Sequence, residues 1–238
     1  MKLSIIIPAF NEEKTVAEIV SRVKKQEVPG VDKEIVVVND GSSDKTTEIL
    51  EEIGRTDKSI KIVHHPKNKG KGAAVKTGIA NSTGDYIIIQ DADLEYNPND
   101  IPKLLAPVLG GKAKVVYGTR LNRMPHVTGE EKRFLFLLHF FGNRMLSLLT
   151  SVLYFSWITD METCYKLFPR KALDGIELRS RSFDFEPEIT SKLLKKGYKI
   201  AEVNITTKPR GYEEGKKLNT IRDGSIALWT LFKYRFID

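Results

Sequence analysis

Cysteine is nearly missing from this chain: one, Cys164, in 238 residues. No disulfide can form within it, so a scaffold held by cross-links is excluded, and the usage fits a reducing, cytoplasmic compartment. With no paired Cys and no His beside it, Cys164 offers neither a zinc site nor an activated nucleophile, and a small packed side chain is expected. A bilayer-length run free of ionisable groups is also lacking. The most apolar stretch, residues 134–158, carries His139, Asn143 and Arg144 near its middle, where such groups are expensive in lipid. It reads as one or two buried or interfacial helices, with no spanning helix expected. Met1-Lys2-Leu3 leads straight into a strand-like run ending at Pro8, so no signal peptide is expected. Repeats, low-complexity tracts and linkers are absent, which argues for a single domain.

What is present is ordinary for a globular protein: 41% hydrophobic and 29% charged residues. The net charge of +7 favours anionic partners such as nucleotide phosphates, anionic lipid or nucleic acid without choosing among them. The first half alternates strands and helices. "LSIIIP", "EIVVVND", "IKIVHH", "DYIIIQDAD" and "AKVVYGTR" read as strands. Between the first two, Val16, Ile19, Val20 and Val23 recur at helical spacing. "SDKTTEILEEI" reads as a helix capped by Asp44, "GKGAAVKTGIANSTG" as one closed by Gly84, and "NPNDIPKLL" as one capped by Asn97 with Pro98 at its first position. After residue 120 the alternation fades. "CYKLFPR" and "KIAEVNITT" read as strands, "FDFEPEITSKLLKKG" and "IRDGSIALWTLFKYRF" as helices. Continuous apolar strands separated by helices predict an α/β fold: a Rossmann-like, mostly parallel sheet covered on both faces. In such sheets ligands bind beyond the carboxyl ends of the strands.

The polar clusters fall at those ends: Asn11-Glu12, Asn39-Asp40 and Asp91-Ala92-Asp93. In "IIIQDADLEYNP" the spacing of Asp91, Asp93 and Glu95 places all three on one face if the chain stays extended. Three like charges there call for a cation, and oxygen ligands suit Mg²⁺ or Mn²⁺ sharing phosphate oxygens. Asp40 is placed to accept hydrogen bonds from a base or ribose, or to cap a turn. "NKGKG" (68–72) matches neither the Walker pattern nor G-x-G-x-x-G. It offers backbone amides with Lys69 or Lys71 to phosphate, or plain turn chemistry. His64 and His65 point to opposite faces of a strand and are expected to be structural. Arg120 and Arg133 are candidate anion contacts, and Arg210, Lys216 and Lys217 form a basic patch suited to phosphate.

Taken in order, "IIIPAFNEEKTV", "EIVVVNDGSSDKT", "NKGKGAAVKTGI", "GDYIIIQDADLEYNP" and "VVYGTR" resemble glycosyltransferase family 2, which has the GT-A fold. "TDMETCYKLFPR", "FDFEPEI" and "YEEGKKLNTIRDG" look like its dolichyl- and polyprenyl-phosphate sugar synthase branch. The resemblance implies a nucleotide-sugar-binding half over residues 1–120 and an acceptor half over 121–238. It also implies inverting transfer of a hexose from GDP-mannose or UDP-glucose to a polyprenyl or dolichyl phosphate. By motif position Pro8, Phe10, Glu12, Val38 and Asp40 would hold the nucleotide. Asp91 and Asp93, with Glu95, would hold the metal and diphosphate, and Arg120, Arg133 and Arg210 the acceptor phosphate. Asp91, Asp93 and Arg120 would be catalytic. Phe10 stands where Tyr is common, and Asn39 where many members have Asp. The Gln-x-x-Arg-Trp motif of hydroxyl-acceptor members is absent. An anionic phosphate attacks without a base; for a hydroxyl acceptor, Asp184 or Glu186 would have to serve as one. A lipid acceptor implies a peripheral membrane protein on the cytoplasmic face, or a membrane-anchoring partner subunit. The alternatives left open are transfer to a glycan hydroxyl and nucleotide-sugar binding without catalysis. Nucleic-acid binding rests on charge alone and is not expected.

Overall fold

The structure, a computed structural model, describes residues 1–120, 130–208 and 220–237, except the side chains of 130–139, 220 and 221. Arg133's side chain and Arg210 lie outside that set. Seven strands form one sheet: β1 (Lys2–Ala9), β2 (Asp32–Asn39), β3 (Ile60–His64), β4 (Tyr86–Ile89), β5 (Val115–Thr119), β6 (Lys166–Pro169) and β7 (Ile200–Asn204). Their spatial order is β3-β2-β1-β4-β6-β5-β7. Every pairing is parallel except those of β6, which runs antiparallel to both β4 and β5. A strand from the second half of the chain thus sits between two from the first.

The α/β expectation holds, for the reason the composition suggested. Leu3 to Ile7 are buried without alternation, as a central strand covered on both faces must be. Helices α1 (Val16–Lys25), α2 (Thr46–Thr56), α3 (Lys71–Ala80), α4 (Ile101–Leu109) and α6 (Phe185–Lys195) accompany the sheet. Val16, Ile19, Val20 and Val23 of α1 all face the core. The long apolar stretch forms one helix, α5 (Glu130–Tyr154), which pairs with α7 (Thr220–Phe236) around Leu146, Ile158, Met161, Ala227 and Leu231. Among the described residues, no helix is long and apolar enough to cross a membrane.

Some local expectations need correction. α2 begins at Thr46, one residue later than a cap at Asp44 implies; Asp44 still accepts the Thr46 amide (3.0 Å) and also ties down the Glu13 amide (3.1 Å). Gly84 does not close α3, which ends at Ala80. Its amide instead donates to Ser4 Oγ at 2.8 Å, and a Cβ there would sit 2.5 Å from that oxygen, so glycine is required by the approach of β1. The Asn97 cap is as expected: its side chain accepts the Asn99 amide, with Pro98 opening the turn that leads into α4.

The antiparallel β6 has a functional consequence. Its leading end lies on the same rim as the trailing ends of β4 and β5, so the segment just before Lys166 passes over the carboxyl edge of the sheet.

Candidate active site

A cavity of about 390 Å³ opens on that rim. Pro8, Phe10 and Glu12 reach it from the end of β1, and Asp40 from the end of β2. Asp91, Asp93 and Glu95 come from beyond β4, and Arg120 from the end of β5. Eight of the eleven expected site residues thus meet in one place. Val38 does not: it is fully buried and packs beneath α3, its Cγ2 3.4 Å from where a Cβ on Gly78 would lie. Arg133 and Arg210 fall outside the described side chains.

The three carboxylates all line the cavity, but by a route other than the extended strand expected. β4 stops at Ile89, and the chain turns through Leu94 at φ +62°. Gln90 holds the turn by donating to the carbonyls of Asp91 (3.1 Å) and Tyr96 (3.4 Å), and Asp93 accepts the Glu95 amide at 3.1 Å. Turn geometry, not strand alternation, brings them to the cavity.

Asp40 is a clamp. Its carboxylate is buried and accepts the Lys69 amide (3.0 Å) and the Gly70 amide (2.8 Å), with His65 Nδ1 at 2.6 Å. His65 is fixed in turn by Thr77 at 2.8 Å, and His64 Nδ1 lies 3.1 Å from Asn39 Nδ2. The glycines of "NKGKG" answer to packing. Gly70 has φ +94°, and a Cβ on it would lie 2.2 Å from the Arg181 carbonyl oxygen. The amides offered to phosphate from sequence are thus engaged by Asp40, and Lys69 is absent from the cavity wall.

Lys71 is on that wall and forms the electrostatic centre of the site. Its ammonium lies 2.9 Å from Asp91 Oδ1 and 2.9 Å from Glu186 Oε1. Burial alone would lower its pKa, but Asp91 and Glu186 outweigh burial and hold it above the ordinary lysine range, so it stays charged. Arg120 makes a two-pronged pair with the fully buried Asp160, Nε and Nη2 each at 2.8 Å, and lies 5.7 Å over the Tyr96 ring. Burial would raise the Asp160 carboxyl, yet Arg120 prevails and keeps it below the usual range. Cys164 is buried as expected, but on the cavity wall, where burial and then the charge of Asp91 push its thiol well up; it is no nucleophile.

Two glutamates complete the wall: Glu162, on the segment preceding β6, and Glu186, in the first turn of α6. Glu162 Oε1 and Glu186 Oε2 are each fully buried with no hydrogen-bond partner. Burial first, then the nearby charge of Glu186, raises the Glu162 carboxyl above the ordinary range. Asp184, the other residue suggested as a base, accepts the Ser182 amide at 2.8 Å and is absent from the wall. Glu162 escaped the sequence reading. The available signal was Asp160-x-Glu162 just before a strand, mirroring Asp91-x-Asp93 just after one, but using it requires knowing that β6 runs backwards.

The chemistry of the donor set fits a hard divalent cation. Asp91 and Asp93 supply two carboxylates, and among the described residues no third acid, histidine or cysteine closes a ligand set around them. That open arrangement suits Mg²⁺ or Mn²⁺ completed by phosphate oxygens and water.

Comparison with known proteins agrees with this geometry. The glycosyl transferase family 2 model matches residues 4–176. An uncharacterised protein of Methanocaldococcus jannaschii is 31% identical over 225 residues, covering 92% of this chain and 87% of that protein. A dolichol-phosphate mannosyltransferase of Pyrococcus furiosus is 31% identical over 241 residues, covering 98% of this chain and 64% of its own length. Among solved structures, glucosyl-3-phosphoglycerate synthase of Mycobacterium tuberculosis, in complex with Mn²⁺, UDP and glucosyl-3-phosphoglycerate, superposes with a TM-score of 0.71 at 20% identity. The match covers 100% of this chain and 81% of that one. The same enzyme with Mg²⁺ and UDP gives 0.71 at 20% identity, covering 100% and 80%. These two matches establish a shared fold. With the family model spanning most of the chain and relatives above 30% identity across nearly all of it, the protein belongs to glycosyl transferase family 2.

Proposed function

We propose that the protein transfers a hexose from a nucleotide-sugar to a polyprenyl phosphate. The observation that carries the reading is the cavity at the carboxyl rim, where Asp91, Asp93 and Glu95 stand beside the cations Lys71 and Arg120. Pro8, Phe10 and Glu12 form the end suited to a base and ribose, and Asp91 and Asp93 the part suited to a diphosphate. Held there, Mg²⁺ or Mn²⁺ would supply positive charge against the departing nucleoside diphosphate. Lys71 adds a fixed positive charge at Asp91 without needing to move a proton. Arg120, oriented by Asp160, presents its remaining edge to the cavity for an acceptor phosphate. A phosphate monoester is anionic at neutral pH and attacks without a general base. Glu186, paired with Lys71, is thus free of that duty.

A lipid acceptor is supported by the outer face of α5 and α7. Phe141, Met145, Leu148 and Val152 recur at spacings of four and three along α5, all exposed, and Phe155 just past its end is exposed too. Trp229, Phe232 and Phe236 of α7 are exposed as well. Both tryptophans of the chain, Trp157 (71%) and Trp229 (62%), are on this exposed apolar surface. Arg144, Lys233 and Arg235 accompany it. Apolar faces with aromatic and basic residues suit the headgroup boundary of a membrane. The Pyrococcus relative's name points the same way. The reading therefore includes peripheral association with a membrane surface.

The test is thermal stabilisation by GDP and by UDP, each with Mn²⁺ and with EDTA, followed by transfer of labelled hexose to short-chain polyprenyl phosphate or to soluble hydroxyl acceptors. A Mn²⁺-dependent shift with one nucleotide and product only on the lipid phosphate is expected. Product only on a hydroxyl acceptor would replace the acceptor assignment, and no shift with either nucleotide would refute the donor.

A further inference from the structure

The cavity wall contains two carboxylates that neither diphosphate nor acceptor phosphate uses. The strand order lays out the rim as a sequence of chemistries. β2 and β1 bring Asp40, Phe10 and Glu12; β4 brings Asp91 and Asp93; beyond it, the segment before β6 brings Glu162, and Glu186 at the start of α6 reaches the same cavity beside Lys71, which it shares with Asp91. A nucleotide-sugar is laid out in the same order, base and ribose, then diphosphate, then hexose. On the hexose side, Glu162 Oε1 and Glu186 Oε2 are fully buried without a donor, and an unpaired buried carboxylate oxygen is costly unless something pairs with it. Two acids side by side disfavour a phosphate next to them. A neutral group rich in O–H donors does fit.

We infer that Glu162 and Glu186 form the hexose subsite of this enzyme, accepting hydrogen bonds from ring hydroxyls of the donor sugar and setting which hexose is bound. The inference rests on the donor reading above. Lys71 fixes the Glu186 carboxylate by taking Oε1 at 2.9 Å, which leaves Oε2 as the reading atom. Glu162 carries the same role from the opposite chain segment. Burial and then the charge of Glu186 raise its pKa and favour the protonated carboxyl, which can donate to a sugar oxygen as well as accept.

The experiment is calorimetric titration of the full chain with Mn²⁺ and four ligands: GDP, UDP, GDP-mannose and UDP-glucose. Wild type and Glu162→Gln are compared. The variant is expected to keep its Kd for the nucleoside diphosphate within about twofold, while the matching nucleotide-sugar binds about tenfold or more weakly, the scale of an unpaired buried polar group. Equal loss on both ligands, or no loss on either, overturns the subsite. Wild type that binds none of the four refutes the donor reading itself, so the two failures are distinguishable. Glu162→Asp, which keeps the carboxyl but withdraws it from the sugar, serves as the second variant if Glu162→Gln does not melt cooperatively, with the same expected and refuting outcomes.

Discussion

Replacing Asp160 with Asn retains the shape of the side chain and removes its charge. Asp160 is wholly buried and accepts Nε, Nη2 and the backbone N–H of Arg120, at 2.8, 2.8 and 2.9 Å. Asparagine has one oxygen to offer, and its amide must turn N–H toward a guanidinium N–H. Breaking a buried ion pair by removing one partner costs about 3–5 kcal/mol. Arg120 lines the cavity with 21% of its side chain exposed, so water recovers part of its solvation and the low end applies, about 3 kcal/mol. In a chain of this size that is a fall in Tm of roughly 6–12 °C. Acid should reveal the same pair. Asp160 has a folded pKa below its unfolded one, so its contribution is present above about pH 4 and fades as pH falls through the folded value. Urea unfolding at pH 7 and a stability profile from pH 6 to 2 measure both effects. A loss under about 1 kcal/mol, or a variant retaining the full acid-dependent decline of wild type, refutes the assignment of Asp160 as the group that holds Arg120.

Asp40→Asn should cost about 2–3 kcal/mol, because one of three donors meets an amide N–H; hydrogen exchange at Lys69 and Gly70 should accelerate, and unchanged exchange would show that Asp40 is not the clamp. Gly78→Ala places a Cβ 2.3 Å from Cγ2 of the buried Ile6. Overpacking of about 1–3 kcal/mol should then outweigh the helix-propensity gain of about 1 kcal/mol, and a variant as stable as wild type would contradict that. Asp93→Ala should leave Tm nearly unchanged, since the residue sits past a strand end, yet abolish Mn²⁺-dependent stabilisation by nucleotide. Full activity of that variant in chelator would remove Asp93 from the metal assignment.

Much of the fold is legible from local pattern, because the information is local. "SIII", "IVVV" and "YIII" are apolar without alternation, a pattern requiring cover on both faces. Val16, Ile19, Val20 and Val23 repeat at the helical period, so their burial follows from spacing alone. Polar residues directly after such strands must lie on the carboxyl rim, which is why Glu12, Asp40 and Asp91 can be gathered from the sequence, while Phe10 rests on the family resemblance. What one stretch of chain cannot encode is the orientation of a strand relative to a distant partner. Nothing in "KLFP" says that it enters between β4 and β5 running backwards, yet that reversal brings Glu162 and Cys164 onto the rim. Ion pairing is equally non-local: Lys71 meets Asp91 and Glu186 across separations of 20 and 115 residues. The strands, their covering helices and the cluster of carboxylates after β4 are readable from the chain, since periodicity and strand ends are properties of neighbouring residues. The shaping of the Gly70 loop by Arg181, the clamp at Asp40 and the two glutamates on the cavity wall come from folding, since each depends on segments meeting that the chain keeps far apart.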